Sequence, residues 1–234
     1  MRLINLLSIL LLFSLGTVPV FSQYSSAIIN DTDGFTNVRS HIDNSKIVGK
    51  IIEGEIFEYD ADDWFEKKDW IHVSINKGNN KDKCNYLGSK LGIGGSMHRS
   101  RITLLSDLPS TFQRSILDNE VKLTESNFSV SIKTRTLSKK ENKELYYKCV
   151  WGTDTGEPKN VIQELSVLSG AEKIIIPKED YVDLYRINLI NSHLKTHKGY
   201  TYITMSNSDA AGSYEVTWVL KDNKYIRRFI CIGP

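Results

Sequence analysis

The sequence has no surplus of charge of either sign. Its 234 residues carry 30 Lys and Arg against 28 Asp and Glu, a formal net charge of +2, and the basic residues are dispersed among the acids. A polyanion is held by a clustered basic face, so nucleic acid is not an expected partner. Cysteine is scarce: Cys84, Cys149 and Cys231 form an odd set, which leaves at least one thiol unpaired within a monomer. Cys149 and Cys231 both lie in strand-like segments, where a bridge is geometrically open. Small buried thiols serving as apolar core residues are the expected state. Long apolar runs are missing too. The longest, Leu3 to Leu15, falls short of the ~20 residues that span a bilayer, and Gly16 and Pro19 break it before the end.

What stands at the start instead is the three-part plan of a secretory signal peptide over residues 1–22. Arg2 supplies the single charge, the apolar run follows, and small or apolar residues lead to Val20-Phe21-Ser22. Cleavage after Ser22 leaves Gln23 first rather than the Cys that lipid attachment requires. The expectation is an exported chain, periplasmic or extracellular, with no stable membrane insertion after signal cleavage. The remaining length suits two compact domains better than one small barrel.

Helical periodicity is absent from residues 26–105. Short runs alternate with turn signals there: Ala27-Ile28-Ile29 before Asp31-Thr32-Asp33-Gly34, then Phe35 to Arg39, Ile47 to Ile51, Glu55 to Tyr59 and Trp70 to Ile75. Such spacing predicts a small antiparallel barrel. Asn37-Val38-Arg39, Ser45 to Ile51 leading to Gly54-Glu55, Trp70, and Gly95-Ser96-Met97-His98-Arg99-Ser100-Arg101-Ile102 together resemble a bacterial SH3-like domain in order and spacing, over about eighty residues. Ser96 departs from that pattern, which usually has an aromatic after the Gly. The stretch 76–92, rich in Lys, Asn and Gly, is also longer than the compact family form. The resemblance implies an exported targeting module that holds wall peptide or an envelope protein, and binding rather than turnover. Trp64, Phe65 and Trp70 stand beside Asp62, Asp63, Glu66 and Asp69, a mixed aromatic and acidic set suited to a basic peptide. The competing assignment has Trp70 filling the barrel core and Trp64 capping a turn.

Leu108-Pro109 marks the expected join, and residues 109–234 read as a second, antiparallel β-rich domain with one short helix. Phe128, Val130 and Ile132 alternate with Ser129, Ser131 and Lys133, and a polar turn at 138–143 leads into 144–151 as a returning strand. Residues 161–168 and 173–176 pair across Ser169-Gly170-Ala171. Pro177 then opens the helix, with Glu179 and Asp180 at its positive end and Tyr181, Leu184 and Tyr185 on one face. Tyr214, Val216, Trp218 and Leu220 alternate with Glu215, Thr217 and Lys221, Val219 being the one apolar residue out of phase. Asp222-Asn223-Lys224 turns this strand into the last one, and residues 200–205 supply the strand before it.

No reaction centre assembles from these residues, and the expected catalytic, metal and cofactor sets are empty. A cysteine peptidase needs a thiolate at a helix start with His in reach, whereas Cys149 sits inside the strand-like run Tyr146 to Trp151. His193 and His197 have the spacing of two zinc ligands on a helix, but Lys198-Gly199 points to a loop and no Glu stands between them. Asp31-Thr32-Asp33-Gly34 opens like a calcium loop, yet Ile42 occupies the twelfth position, where a bidentate Glu is needed. Two polar loops, 151–158 and 206–209, form the best candidate surface of the second half. Asp154, Glu157 and Asp209 would suit a wall hydrolase only if two of them stood about 5 to 10 Å apart; ordinary turn chemistry is the alternative. The candidate ligand-binding set is thus Trp64, Trp70, Trp151, Asp154, Asn207 and Asp209. The leading reading is a non-enzymatic binding or scaffolding protein, with a wall hydrolase and an inhibitor-like or immunity-like protein as rivals.

Overall fold

The computed structural model describes residues 24–43, 45–76, 92–145, 150–153, 158–208 and 212–232. The chain is mainly β, and every pairing between its strands is antiparallel. Seven strands form the first sheet: β1 (Tyr24–Ile29), β2 (Phe35–Arg39), β3 (Ile47–Ile52), β4 (Phe57–Asp60), β5 (Trp70–Asn76), β6 (Gly92–His98) and β7 (Ile102–Leu104). Their order is β3-β2-β6-β5-β4-β1-β7. Alternation sets the faces: Ile71, Val73 and Ile75 of β5 are buried with Val38, Ile51, Phe57 and Met97, while Trp70 and His72 point the other way, outward.

A five-residue helix, α1 (Ala61–Phe65), interrupts this sheet where the sequence carries no helical period. Its start is fixed by Asp60, whose carboxylate accepts the backbone N–H groups of Asp62 and Asp63 at 2.9 and 3.3 Å, a standard N-cap.

The second sheet contains β8 (Gln113–Leu117), β9 (Glu120–Glu125), β10 (Phe128–Thr136), β11 (Asn160–Ser169) and β12 (Glu172–Ile174), in the order β12-β11-β10-β9-β8. The expected hairpin from 128 into 144–151 does not form. β10 pairs with β9 and β11, and the expected polar turn is the start of a helix, α2 (Lys139–Leu145). Ser138 and Glu141 explain it: the Ser138 hydroxyl accepts the Glu141 N–H at 3.2 Å and the Glu141 carboxylate accepts the Ser138 N–H at 2.9 Å, a reciprocal capping box. The β11 and β12 pair forms as expected, with Gly170 at φ 59° in the turn.

The third sheet is a meander of β13 (Ser192–His197), β14 (Tyr200–Asn207), β15 (Tyr214–Lys221) and β16 (Lys224–Ile232). Asp222 and Asn223, both at positive φ, make the tight turn that matches strand twist. After Pro177 the expected helix is only a single 3-10 turn, Lys178–Asp180. Tyr181, Leu184 and Tyr185 are buried nonetheless, because side chains of the third sheet fasten this segment. Trp218 Nε1 donates to Asp180 O at 2.9 Å and Tyr214 Oη donates to Tyr185 O at 2.9 Å.

The third sheet is covered on both faces. Val216, Trp218, Leu220 and Ile230 pack with Val121, Ile132 and Val167 of the second sheet. On the opposite face Tyr202, Val219, Phe229 and Cys231 pack with Ile28, Ile56, Leu105 and Leu108. The out-of-phase Val219 thus has a place: it meets the first sheet. The segment 105–108 is part of this shared core. Cys231 is a free, buried thiol, whereas Cys84 and Cys149 lie outside the described residues. Among the described residues, no helix is long and apolar enough to cross a membrane; residues 1–22, where a signal peptide is expected, lie outside them.

Candidate functional site

β5 and β6 pair along the whole of β5, from Trp70↔His98 to Asn76↔Gly92. β2 meets β6 at one register position only, Arg39↔Ser96. From that crossing toward Phe35 the two strands have no further register partners, and a groove of about 480 Å³ lies there. Phe35, Asn37 and Arg39 form one wall, and Trp70, His98 and Arg101 the other. Trp70 is 37% exposed and stands edge-on to His98, with ring centroids 5.6 Å apart. His98 is oriented: its Nδ1 accepts the backbone N–H of Ser100 at 3.3 Å, so in the neutral ring the proton sits on Nε2.

The groove floor is braced by Asp31. Its carboxylate accepts the Asp33 N–H at 3.1 Å, the Thr36 hydroxyl at 2.9 Å and the Arg101 guanidinium at 2.8 Å. Here the expected strand-entry turn is what forms. These bonds, the Asp33 N–H foremost and then the Thr36 hydroxyl, hold the Asp31 carboxyl below the usual carboxylate range. A depressed folded pKa means stability that is present above the unfolded value, about 4, and lost as pH falls through the lowered folded one. Asp31→Asn should therefore flatten the acid limb of a stability profile taken from pH 6 to pH 2 by urea unfolding. An unchanged acid limb would remove Asp31 from this bracing role.

Beside Trp70 on the same face lies a pair of imidazoles. His41, from the β2–β3 connection, stacks on His72 with centroids 3.5 Å apart, and its Nδ1 lies 2.8 Å from Ser96 Oγ. Ser96, where the expected resemblance would have an aromatic, makes a hydrogen bond instead. Burial, and then the neighbouring His72, push the His41 pKa down. Asp63 lies behind them. Burial alone would raise its pKa, but the Lys68 ammonium at 2.6 Å and the His72 backbone N–H at 2.9 Å outweigh that and lower it.

The six sequence candidates separate. Trp70 is in the groove. Trp64 is on α1, turned toward Tyr59 and capped by Arg99, whose guanidinium lies 4.1 Å above the indole ring while also donating to the Asp63 and Trp64 carbonyls. Of the acids grouped with these rings, Asp63 is a buried acceptor, whereas Asp62, Glu66 and Asp69 are exposed, Glu66 paired with Lys68 at 2.9 Å. Trp151 and Asn207, expected on polar loops, are each 1% exposed. Trp151 packs in the core shared by the second and third sheets. The Asn207 side chain accepts the Asn188 N–H at 2.8 Å and donates to Met205 O at 3.4 Å, so both residues are structural. Asp154, Glu157 and Asp209 lie outside the described residues.

His193 and His197 sit on β13 rather than in a loop. Four residues along a strand is about 13 Å, too far for one metal ion. No group of three or more His, Cys, Asp or Glu among the described residues could hold a metal. Sequence reading missed His41, His72, His98 and Ser96. The alternation of β5, which puts Trp70 and His72 on one face, is the signal that could have found His72. No family model matches this chain, and neither does any curated protein or any solved structure.

Proposed function

We propose that the chain is an exported, non-enzymatic binding protein. Its N-terminal unit is an SH3-like module that engages an envelope ligand such as wall peptide. The observation that carries this reading is the exposed Trp70 at the edge of a groove where β2 and β6 part. On that side Phe35, Thr36 and Asn37 line the groove, and β2 has no register partner on β6 there. An extended peptide can lie along such an edge and place a side chain on an aromatic platform. Arg39 and Arg101 offer donors to its carboxylates, and Asp33 faces its cations.

The test is sedimentation of the purified chain with peptidoglycan sacculi, followed by analysis of the supernatant for released fragments. The expected result is co-sedimentation without release, weakened about tenfold by Trp70→Ala, as for a central aromatic anchor. Release of fragments would replace the reading with a wall hydrolase. Absence of co-sedimentation would remove the wall ligand, and a protein partner would take its place.

A further inference from the structure

A second cleft, of about 260 Å³, lies between β1 and the face of the third sheet that turns toward it. Strand register orders its lining. His193 stands opposite Thr204 and Ser206 opposite Glu215, and Ser25 and Ser26 of β1 close the other side. The cleft therefore has two chemically distinct ends.

At one end is Glu215. Its carboxylate has hydroxyl partners in Ser26 and Ser206, the latter at 3.5 Å, and no cation within ion-pair distance among the described residues. Burial raises its pKa, and the two serines only partly offset this. At the other end is Lys195. Its ammonium donates to the neutral carbonyls of Ser106 and Leu108, at 2.9 and 2.8 Å, which leaves its charge uncompensated and one N–H to spare. His193 is beside it, with Nδ1 3.3 Å from the Arg114 guanidinium. Burial first, and then Arg114 and Lys195, lower the His193 pKa, with no carboxylate opposing them. On the same sheet face, opposite Thr204, Thr217 is wholly buried and its hydroxyl has no partner.

We propose that this cleft binds a dipeptide-sized zwitterion, its carboxylate against Lys195 and His193 and its ammonium against Glu215 and the hydroxyls of Ser26 and Ser206. Each end lacks the counter-charge that such a ligand brings. β13 and β15, which carry the two ends, are two inter-strand steps apart, about 10 Å. A dipeptide, extended over about 7 Å, bridges side chains reaching in from both strands, and a single amino acid does not. The cleft lining holds no Phe, Tyr or Trp, and its one ring is the His193 imidazole at the cationic end, so it lacks the broad stacking face that a sugar or a nucleobase uses. The site is separate from the groove at Trp70 and does not depend on the reading given for it.

The test is calorimetric titration of the purified chain with alanyl-alanine, N-acetyl-alanyl-alanine and alanyl-alanine amide. Alanyl-alanine is expected to bind, and each blocked form to bind at least about tenfold more weakly. Glu215→Gln and Lys195→Met should each weaken alanyl-alanine by a similar factor, while Trp70→Ala leaves it unchanged. Gln is isosteric with Glu and can keep the Ser26 and Ser206 hydroxyl partners, so Glu215→Gln should keep the parent's near-ultraviolet circular dichroism. Lys195→Met, at the cleft rim, gives a second and independent variant. Equal binding of the free and blocked dipeptides would overturn the proposal, as would affinity that survives in both variants or an absence of heat with all three compounds.

Discussion

Asp183→Ala should cost about 3 to 5 kcal/mol of folding free energy, the largest loss expected from a single polar replacement in this chain. Arg228 of β16 has a fully buried side chain, and the Asp183 carboxylate receives it from two sides, Nη1 to Oδ1 at 2.5 Å and Nη2 to Oδ2 at 3.0 Å. Removing the carboxylate leaves a buried guanidinium without this counter-charge. The pair also closes the row of bonds that fasten the irregular segment around 180–185 to the third sheet, where Tyr225 Oη donates to the Asp180 carboxylate at 2.7 Å. Denaturant unfolding of the variant measures the effect. The double variant Asp183→Ala with Arg228→Met should recover much of the loss, because an apolar replacement of both partners removes the stranded charge. A loss below 1 kcal/mol in Asp183→Ala would mean that Arg228 finds other compensation.

Gly95→Ala should cost about 2 to 3 kcal/mol and should also change the groove. A methyl group at this position would sit 2.4 Å from Val38 Cγ1 and 2.5 Å from the carbonyl oxygen of Arg39, and the second neighbour is backbone that cannot rotate away. Its backbone dihedrals are ordinary, so the requirement for glycine is close approach rather than a special conformation. β2 crosses β6 here, at the lone Arg39↔Ser96 position. Pushing the strands apart there shifts Arg39 and the wall it belongs to relative to Trp70. Denaturant unfolding gives the stability, and tryptophan fluorescence reports on the groove. Full stability with an unchanged spectrum would show that the strands accommodate the methyl group, against this prediction. By contrast, Gly94 on the same strand has nothing closer than 3.9 Å and should tolerate alanine there.

How much was legible in the sequence depends on whether neighbours in the chain are neighbours in space. Whereas β13 read as a loop, the run from β14 to β16 is local, its turns short, and the alternation of β15 was readable except at Val219. That residue breaks phase because its partner surface, around Ile28 and Leu105, lies over a hundred residues away. α2 was hidden by its polarity: Lys139 to Leu145 has no buried residue, so the hydrophobic pattern said nothing, and only the Ser138 and Glu141 spacing could have spoken. Trp151 and Asn207 misled for the opposite reason. Polar surroundings in sequence suggested a surface loop, but a bend at Gly152, with φ at 85°, holds the backbone against Tyr185 and turns the indole inward. At the groove, Trp70 stood out as an aromatic. The imidazole pair did not, because His41 and His72 come from separate elements and meet only through the fold.

The third sheet has apolar residues on both sides, so neither half of the chain owns it. A segment beginning near residue 109 would carry Tyr202, Val219 and Phe229 bare to water, and one ending there would leave Ile28, Ile56 and Leu105 in the same condition. Exposed contiguous apolar area of that kind favours self-association over solubility. The two halves are consequently dependent on each other for solubility: a cut near this point would produce two fragments, each with an exposed apolar face.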